Sequence, residues 1–189
     1  ALKCISIGAH AMADVKAAVA ADGCVAIGYE ALKGNSSNST GINGTVAIGK
    51  SALGALTTGG GNVAVGQTAL DALVSGSGNT AIGHETLTSA NGTESGNTAI
   101  GSQALYSMDA DGTNANTAVG YNSALYNVTG VSNTYVGYNA GLGAVGQSNS
   151  SNTAVGKDAL LAITSGDGNV AIGKSAGDSI NTGGSNVVI

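Results

Sequence analysis

Two octapeptides carry the glycine, lysine and hydroxyl spacing with which a backbone loop cradles phosphate. They are Gly44-Thr45-Val46-Ala47-Ile48-Gly49-Lys50-Ser51 and Gly168-Asn169-Val170-Ala171-Ile172-Gly173-Lys174-Ser175. In a P-loop the four intervening residues stay in a loop, their N–H groups close on the phosphates, and a helix follows. Gly173-Lys174-Ser175-Ala176-Gly177 also has the spacing of a nucleophile elbow, with Ser175 as the nucleophile. A base for it would have to be His10 or His84, neither of which has a recognisable helper, and both fall at variable positions expected to face solvent. Asp109-Ala110-Asp111-Gly112 begins like a Ca²⁺ loop but lacks the third ligand before the glycine and the closing glutamate, so it reads as an acidic turn. Asn35, Asn91 and Asn127 each open an Asn-x-Ser/Thr triplet, which matters only in a glycosylating host.

All these motifs sit inside a repeat, and the repeat changes what they mean. A glycine recurs at Gly8, Gly28, Gly49, Gly66, Gly83, Gly101, Gly120, Gly137, Gly156 and Gly173, mostly every 17 to 19 residues; the first two intervals are 20 and 21. The residue before it is always β-branched: Ile7, Ile27, Ile48, Val65, Ile82, Ile100, Val119, Val136, Val155 and Ile172, with Ile189 in place for the next. Two residues earlier stand Ile5, Val25, Val46, Val63, Thr80, Thr98, Thr117, Thr134, Thr153, Val170 and Val187, and Ala usually lies between. Alternation of this kind describes a strand with β-branched residues on one face and Ala on the other. The β-branched column is expected to form the core, and the Ala face to lie against another backbone.

The frequent Ala-Leu after each glycine, as in Ala52-Leu53 and Ala69-Leu70, predicts a second short strand, with the glycine as a bend between the two. Gly, Ser, Asn, Thr and Asp then return the chain to the next level. The four variable positions of both P-loop-like octapeptides are therefore strand, and Ser175 sits in an ordinary post-glycine bend.

Asn62, Asn79, Asn97, Asn116, Asn133, Asn152, Asn169 and Asn186 form a further column. Stacked in register, their amides would form a ladder; alternatively each closes its own turn. Cys4 and Cys24 occupy this column in successive units. They could form a disulfide across adjacent rungs or remain buried thiols.

Composition sets the scale. Of 189 residues, 42% are hydrophobic but only 3% aromatic, with 32 Gly and no Phe, Trp or Pro. Small side chains can line a thin stacked interior but cannot fill a wide one. Six basic against eleven acidic residues, net charge −5, leave nothing to neutralise a nucleic acid backbone. No apolar run is long enough for insertion into a membrane. The prediction is an all-β fold: a β-solenoid of about eleven repeats across 1–189 as a single repeat domain, with longer-loop repeats in 1–44 and regular repeats in 45–189. The start at Ala1 and the end one residue short of the next glycine suggest a fragment of a longer chain.

Aliphatics do not recur every six residues, as a self-sufficient triangular β-helix requires, so one stack would leave an apolar face in water. Copies arranged round a rotation axis would cover it. The units Asn62-Val63-Ala64-Val65-Gly66, Asn79-Thr80-Ala81-Ile82-Gly83 and Asn169-Val170-Ala171-Ile172-Gly173 resemble the Asn-Ser-Val-Ala-Ile-Gly repeat of YadA-like head domains in trimeric autotransporter adhesins. The resemblance covers nearly the whole chain, although that family's period is shorter. Longer units such as Asn97-Thr98-Ala99-Ile100-Gly101-Ser102-Gln103-Ala104-Leu105-Tyr106 look more like repeats of bacteriophage tail and virion fibres. The resemblance implies a left-handed parallel β-roll, a homotrimer, an extracellular or virion-surface location (or the bacterial outer-membrane surface), and attachment to a host-cell surface receptor or glycan.

No catalytic, metal or cofactor residue is assigned, and the receptor-binding residues are unknown. Tyr106, Tyr121, Tyr126, Tyr135 and Tyr138 are the natural candidates for a contact surface, with packing between rungs as the alternative. A different class, ice binding, is invited by the column Thr80, Thr98, Thr117, Thr134 and Thr153, but threonines sharing a face with a core column would be half buried. A fibre-borne glycan hydrolase would need paired carboxylates, and no pair recurs.

Overall fold

The computed structural model describes residues 3–15, 21–34 and 40–189. Eleven short strands follow one another: β1 (Ile5–Ile7), β2 (Val25–Ile27), β3 (Val46–Ile48), β4 (Val63–Val65), β5 (Thr80–Ile82), β6 (Thr98–Ile100), β7 (Thr117–Val119), β8 (Thr134–Val136), β9 (Thr153–Val155), β10 (Val170–Ile172) and β11 (Val187–Val188). They form one parallel sheet in sequence order. The register never slips: Ala64 faces Ala81, and Ala81 faces Ala99. The chain is thus a β-solenoid of about ten turns, and the described residues contain no helix. Coil n below means strand βn and the chain that follows it.

The sidedness of the strands is the reverse of the expectation. Along β2, β3 and β4 the central Ala is buried and both β-branched neighbours are half-exposed. Ala26, Ala47, Ala64, Ala81, Ala99, Ala118, Ala154 and Ala171 line the interior, whereas Ile82, Ile100, Val155 and Ile172 are among the exposed large apolar side chains. The coil is too narrow for β-branched residues from the strand to meet the leucines arriving from the other side. The interior takes Ala from the strand, Ala and Leu after the glycine, and a further aliphatic seven residues after it: Leu56, Leu73, Met108 and Ile163.

The predicted second strand is absent. After each glycine the chain makes a run of turns in which the second and fourth residues are left-handed, as in Ser51 (φ 57°) and Leu53 (φ 50°), or Thr68 (φ 54°) and Leu70 (φ 52°). For an L-residue this costs about 1–2 kcal/mol. Hydrogen bonds to both neighbouring coils offset it. Ser51 N–H donates to Tyr29 in the coil before (2.9 Å) and Leu53 N–H to Ala69 in the coil after (3.0 Å).

The repeated glycine is required on two counts. Its φ is positive, 144° at Gly66, and a Cβ there would lie 2.1 Å from the Gly83 carbonyl oxygen of the next coil. The glycines stack backbone on backbone, so no side chain fits.

The asparagine column performs both roles weighed for it. Asn79 Nδ2 donates to Asn62 Oδ1 (3.1 Å) and also to the loop carbonyl of Glu94 (2.8 Å), while Asn79 N–H donates to the same Asn62 Oδ1 (3.0 Å). Asn133 repeats the scheme with Asn116 Oδ1 (3.1 Å) and the Asn149 carbonyl (2.7 Å). In Asn79, Asn116, Asn133 and Asn169 the amide ties its strand to the previous coil and to its own return loop, which satisfies polar groups that would otherwise be costly inside.

Coil 8 departs from this plan. Tyr135 replaces the strand Ala and is fully buried. Room comes from Gly141, where a Cβ would meet the Tyr135 ring at 2.6 Å; at this position six of the coils have Leu and coil 10 has Gly177. Coil 7 has Ala124 at that same position. The Tyr135 hydroxyl donates to Asn149 Oδ1 and approaches Asn133 Oδ1 (3.2 Å). Asn152 accordingly turns its Nδ2 to Asn149 (3.2 Å) while still holding the Gly166 carbonyl of its return loop (2.8 Å), and its one bond to Asn133 is from the backbone N–H (3.0 Å).

Candidate functional site: the outer face of the sheet

Because Ala points inward, the two β-branched columns become an outer surface along the full height of the stack. Two parts differ in chemistry. Coils 1 to 4 and coil 10 carry aliphatics in both columns, for example Ile5 with Ile7 and Val46 with Ile48. Coils 5 to 9 carry Thr in the first column and Ile or Val in the second. Ile172 is 44% and Ile82 37% exposed, which makes the face a continuous apolar stripe rather than isolated contacts. The ground on which the threonines were set aside, a shared core column, does not hold. Thr134 is exposed, and Thr80, Thr98, Thr117 and Thr153 are half-exposed on the outside.

Beside this stripe runs the column that follows the glycines. Tyr121 and Tyr138 stack there with ring centres 5.4 Å apart and planes at 16°, and the Lys157 ammonium lies 5.5 Å from the Tyr138 ring centre. Lys157 also pairs with Asp158, whose carboxyl is thereby held below the usual range; the same contact raises the lysine. The tyrosines singled out from sequence therefore do not form one cluster. Tyr121 and Tyr138 are exposed, Tyr106 and Tyr126 are half-buried, and Tyr135 is in the core, where burial pushes its phenol well above the ordinary value.

The apparent chemical motifs resolve into parts of the repeat. Val46–Ile48 and Val170–Ile172 are strand, so the N–H groups that would hold phosphate are committed to neighbouring coils. Ser175 is left-handed (φ 57°), as an elbow serine would be, but so are Ser51, Thr68, Glu85 and Gln103 at equivalent positions. His10 and His84 are exposed as expected; His84 Nδ1 lies 3.8 Å from Glu85. Asn127 is buried, with Oδ1 accepting from Gly130 N–H (3.1 Å), and so is unavailable for glycosylation. Asn91 is exposed, and Asn35 lies outside the described residues.

Cys4 and Cys24 are free thiols on adjacent coils, donating to the carbonyls of Ala21 (2.9 Å) and Ile42 (3.1 Å). Burial, and then the neighbouring Cys4, push the Cys24 thiol up. Among the described residues no three His, Cys, Asp or Glu side chains converge on one point, and no helix is long and apolar enough to cross a membrane. In comparisons with family models, curated proteins and solved structures, the chain matches none.

Proposed function

We propose that this chain is a structural and adhesive segment of a homotrimeric fibre that attaches to a host-cell surface, in the manner of a phage tail or virion fibre. The observation that carries the proposal is the outer face of the sheet: an apolar stripe rising through the whole stack, which a lone chain leaves in water and neighbouring copies would bury. The likeness of the Asn-(Val/Thr)-Ala-(Ile/Val)-Gly unit to YadA-like repeats supports three copies in left-handed rolls, and extends the proposal to its bacterial counterpart, a trimeric autotransporter adhesin head. Such a rod would act at the virion or cell exterior, holding contact loops away from the particle and presenting them in several copies, so that weak single contacts with a receptor or glycan sum. With no Trp or Phe for sugar stacking, this stretch serves mainly as shaft.

Light scattering with size-exclusion chromatography tests the proposal. A particle of three chains is expected, converted to single folded chains by Ile82→Lys with Ile100→Lys on the outer face. A stable folded monomer of the parent sequence would overturn it.

The outward threonine column supports a second function, ice binding through the regular array from Thr80 to Thr153. The two are mutually exclusive on this face, since a trimer that buries it leaves no plane for ice. Thermal hysteresis by a monomer supports the second; its absence, with a trimeric mass, supports the first.

A further inference from the structure

We propose that residues 92–95, together with the Asp111 carboxylate of the next coil, form a site for one hard divalent cation of the Ca²⁺ type. Glu94 carries the inference. It is 1% exposed, its Oε2 accepts from Gly92 N–H (3.0 Å), and its Oε1 is buried without a hydrogen-bond partner. Both carboxylates close on the space beside Gly92: a Cβ placed there would lie 2.1 Å from Asp111 Oδ1 and 3.6 Å from Glu94 Oε1.

Asp111 is held in place by Thr93, whose backbone N–H (3.0 Å) and Oγ1 (3.1 Å) both donate to Asp111 Oδ1, while Gly112 N–H donates to Thr93 Oγ1 (2.9 Å). Among the described residues no side-chain cation pairs with either acid. The ion pairs among the described residues are Lys33–Glu30, His84–Glu85 and Lys157–Asp158. Two carboxylates facing one space, one of them buried with a free oxygen, are unfavourable until a cation joins them. Carboxylate oxygens completed by water suit Ca²⁺, which accepts irregular oxygen shells, better than Mg²⁺ or a softer metal.

The acidic run from Asp109 lacked a closing glutamate downstream in sequence. Stacking supplies one from upstream, 17 residues before Asp111, through the coil beneath. Both ligands belong to one chain, so the site does not depend on assembly.

Calorimetric titration of the EDTA-treated, dialysed full chain with CaCl₂ tests this. One Ca²⁺ per chain is expected, with a dissociation constant of about 10⁻⁴–10⁻³ M, as in extracellular Ca²⁺ modules. Glu94→Gln and Asp111→Asn should each weaken it at least about tenfold, the latter while keeping an oxygen for both Thr93 bonds. Asp167→Asn, in a loop acid that accepts from Ser150 N–H, should bind like the parent. Thermal melts give a second readout. In EDTA, Glu94→Gln should be at least as stable as the parent, and Ca²⁺ should raise the midpoint of the parent but not of the variant. Absence of binding heat and of any Ca²⁺-dependent shift in the parent would overturn the site, as would unaltered binding in both variants.

Discussion

Exchanging Tyr135 and Gly141 for the residues that other coils use offers a sharp test of how the interior is packed. Tyr135→Ala alone removes a fully buried ring and one of the two donors to Asn149 Oδ1, at a cost of about 3–5 kcal/mol. Gly141→Leu alone places a Cβ 2.6 Å from that ring, which has nowhere to move, and costs about 3 kcal/mol. Leucine adopts this left-handed backbone elsewhere, Gly141 (φ 59°) matching Leu53 (φ 50°) and Leu160 (φ 50°), at about 1–2 kcal/mol relative to glycine, which is common to both leucine variants and cancels in the comparison. Together the two changes recreate the Ala-and-Leu pair of coils 3 and 4, and the leucine recovers about 1.5–3 kcal/mol by filling the space the ring leaves. The double variant should therefore be far more stable than the two single costs added together imply, with a coupling energy of about 4.5–6 kcal/mol from relief of the clash and filling of the space. Urea denaturation followed by far-ultraviolet circular dichroism on the four proteins measures it. Additivity to within about 0.5 kcal/mol would refute size compensation between the two positions.

Other consequences are simpler to state. Gly66→Ala, which forces a Cβ to within 2.1 Å of the Gly83 carbonyl, should destabilise by more than about 3 kcal/mol and expose amides of coils 4 and 5 to hydrogen exchange first. Asn116→Ala removes the acceptor of Asn133 N–H (3.0 Å) and Nδ2 (3.1 Å) and should cost about 2–3 kcal/mol in the same denaturation assay. Burial raises the Asp71 carboxyl, and Asp71 Oδ1 is buried without a partner. The folded chain thus holds this proton more tightly than the unfolded one, so the Asp71 contribution favours folding at acid pH and is lost as pH rises from the unfolded to the raised folded value. Asp71→Asn should remove that decline and raise stability at neutral pH by no more than about 0.5 kcal/mol, read from melts across pH 3 to 8.

Every strand was legible in sequence, because alternation before an invariant glycine leaves little choice. Which face turned inward was not. Ile48 and Ala47 alternate identically whichever side is the core, and the usual rule that larger apolar residues go inside fails where the coil is too thin to hold them. Leu53 shows a second limit: nothing in an Ala-Leu pair advertises a left-handed backbone, which arises from hydrogen bonds to coils above and below. The column of Leu56, Leu73, Met108 and Ile163 is hard to see in sequence because its occupant changes from coil to coil, with Ala90, Asn127 and Ala144 at the same position in coils 5, 7 and 8. Tyr135 leaves a signal in the loss of leucine at Ala124 and Gly141, but an ambiguous one, since coil 10 has Gly177 at the same position beside an ordinary Ala171. The outer face became visible as a candidate site only once the sidedness was known.

Coils this alike carry a hazard during folding. A strand that skips its neighbour and pairs with the next one along finds the same glycine to stack on, the same amide to join and nearly the same apolar contacts, so a chain with one unit looped out would lie close in energy to the correct one. Tyr135 breaks that degeneracy. Its ring fits a turn with glycine in place of leucine and is ill suited to the alanine-and-leucine layers of most other coils, so the Tyr135–Gly141 pair makes coil 8 a registration mark from which the others can be counted.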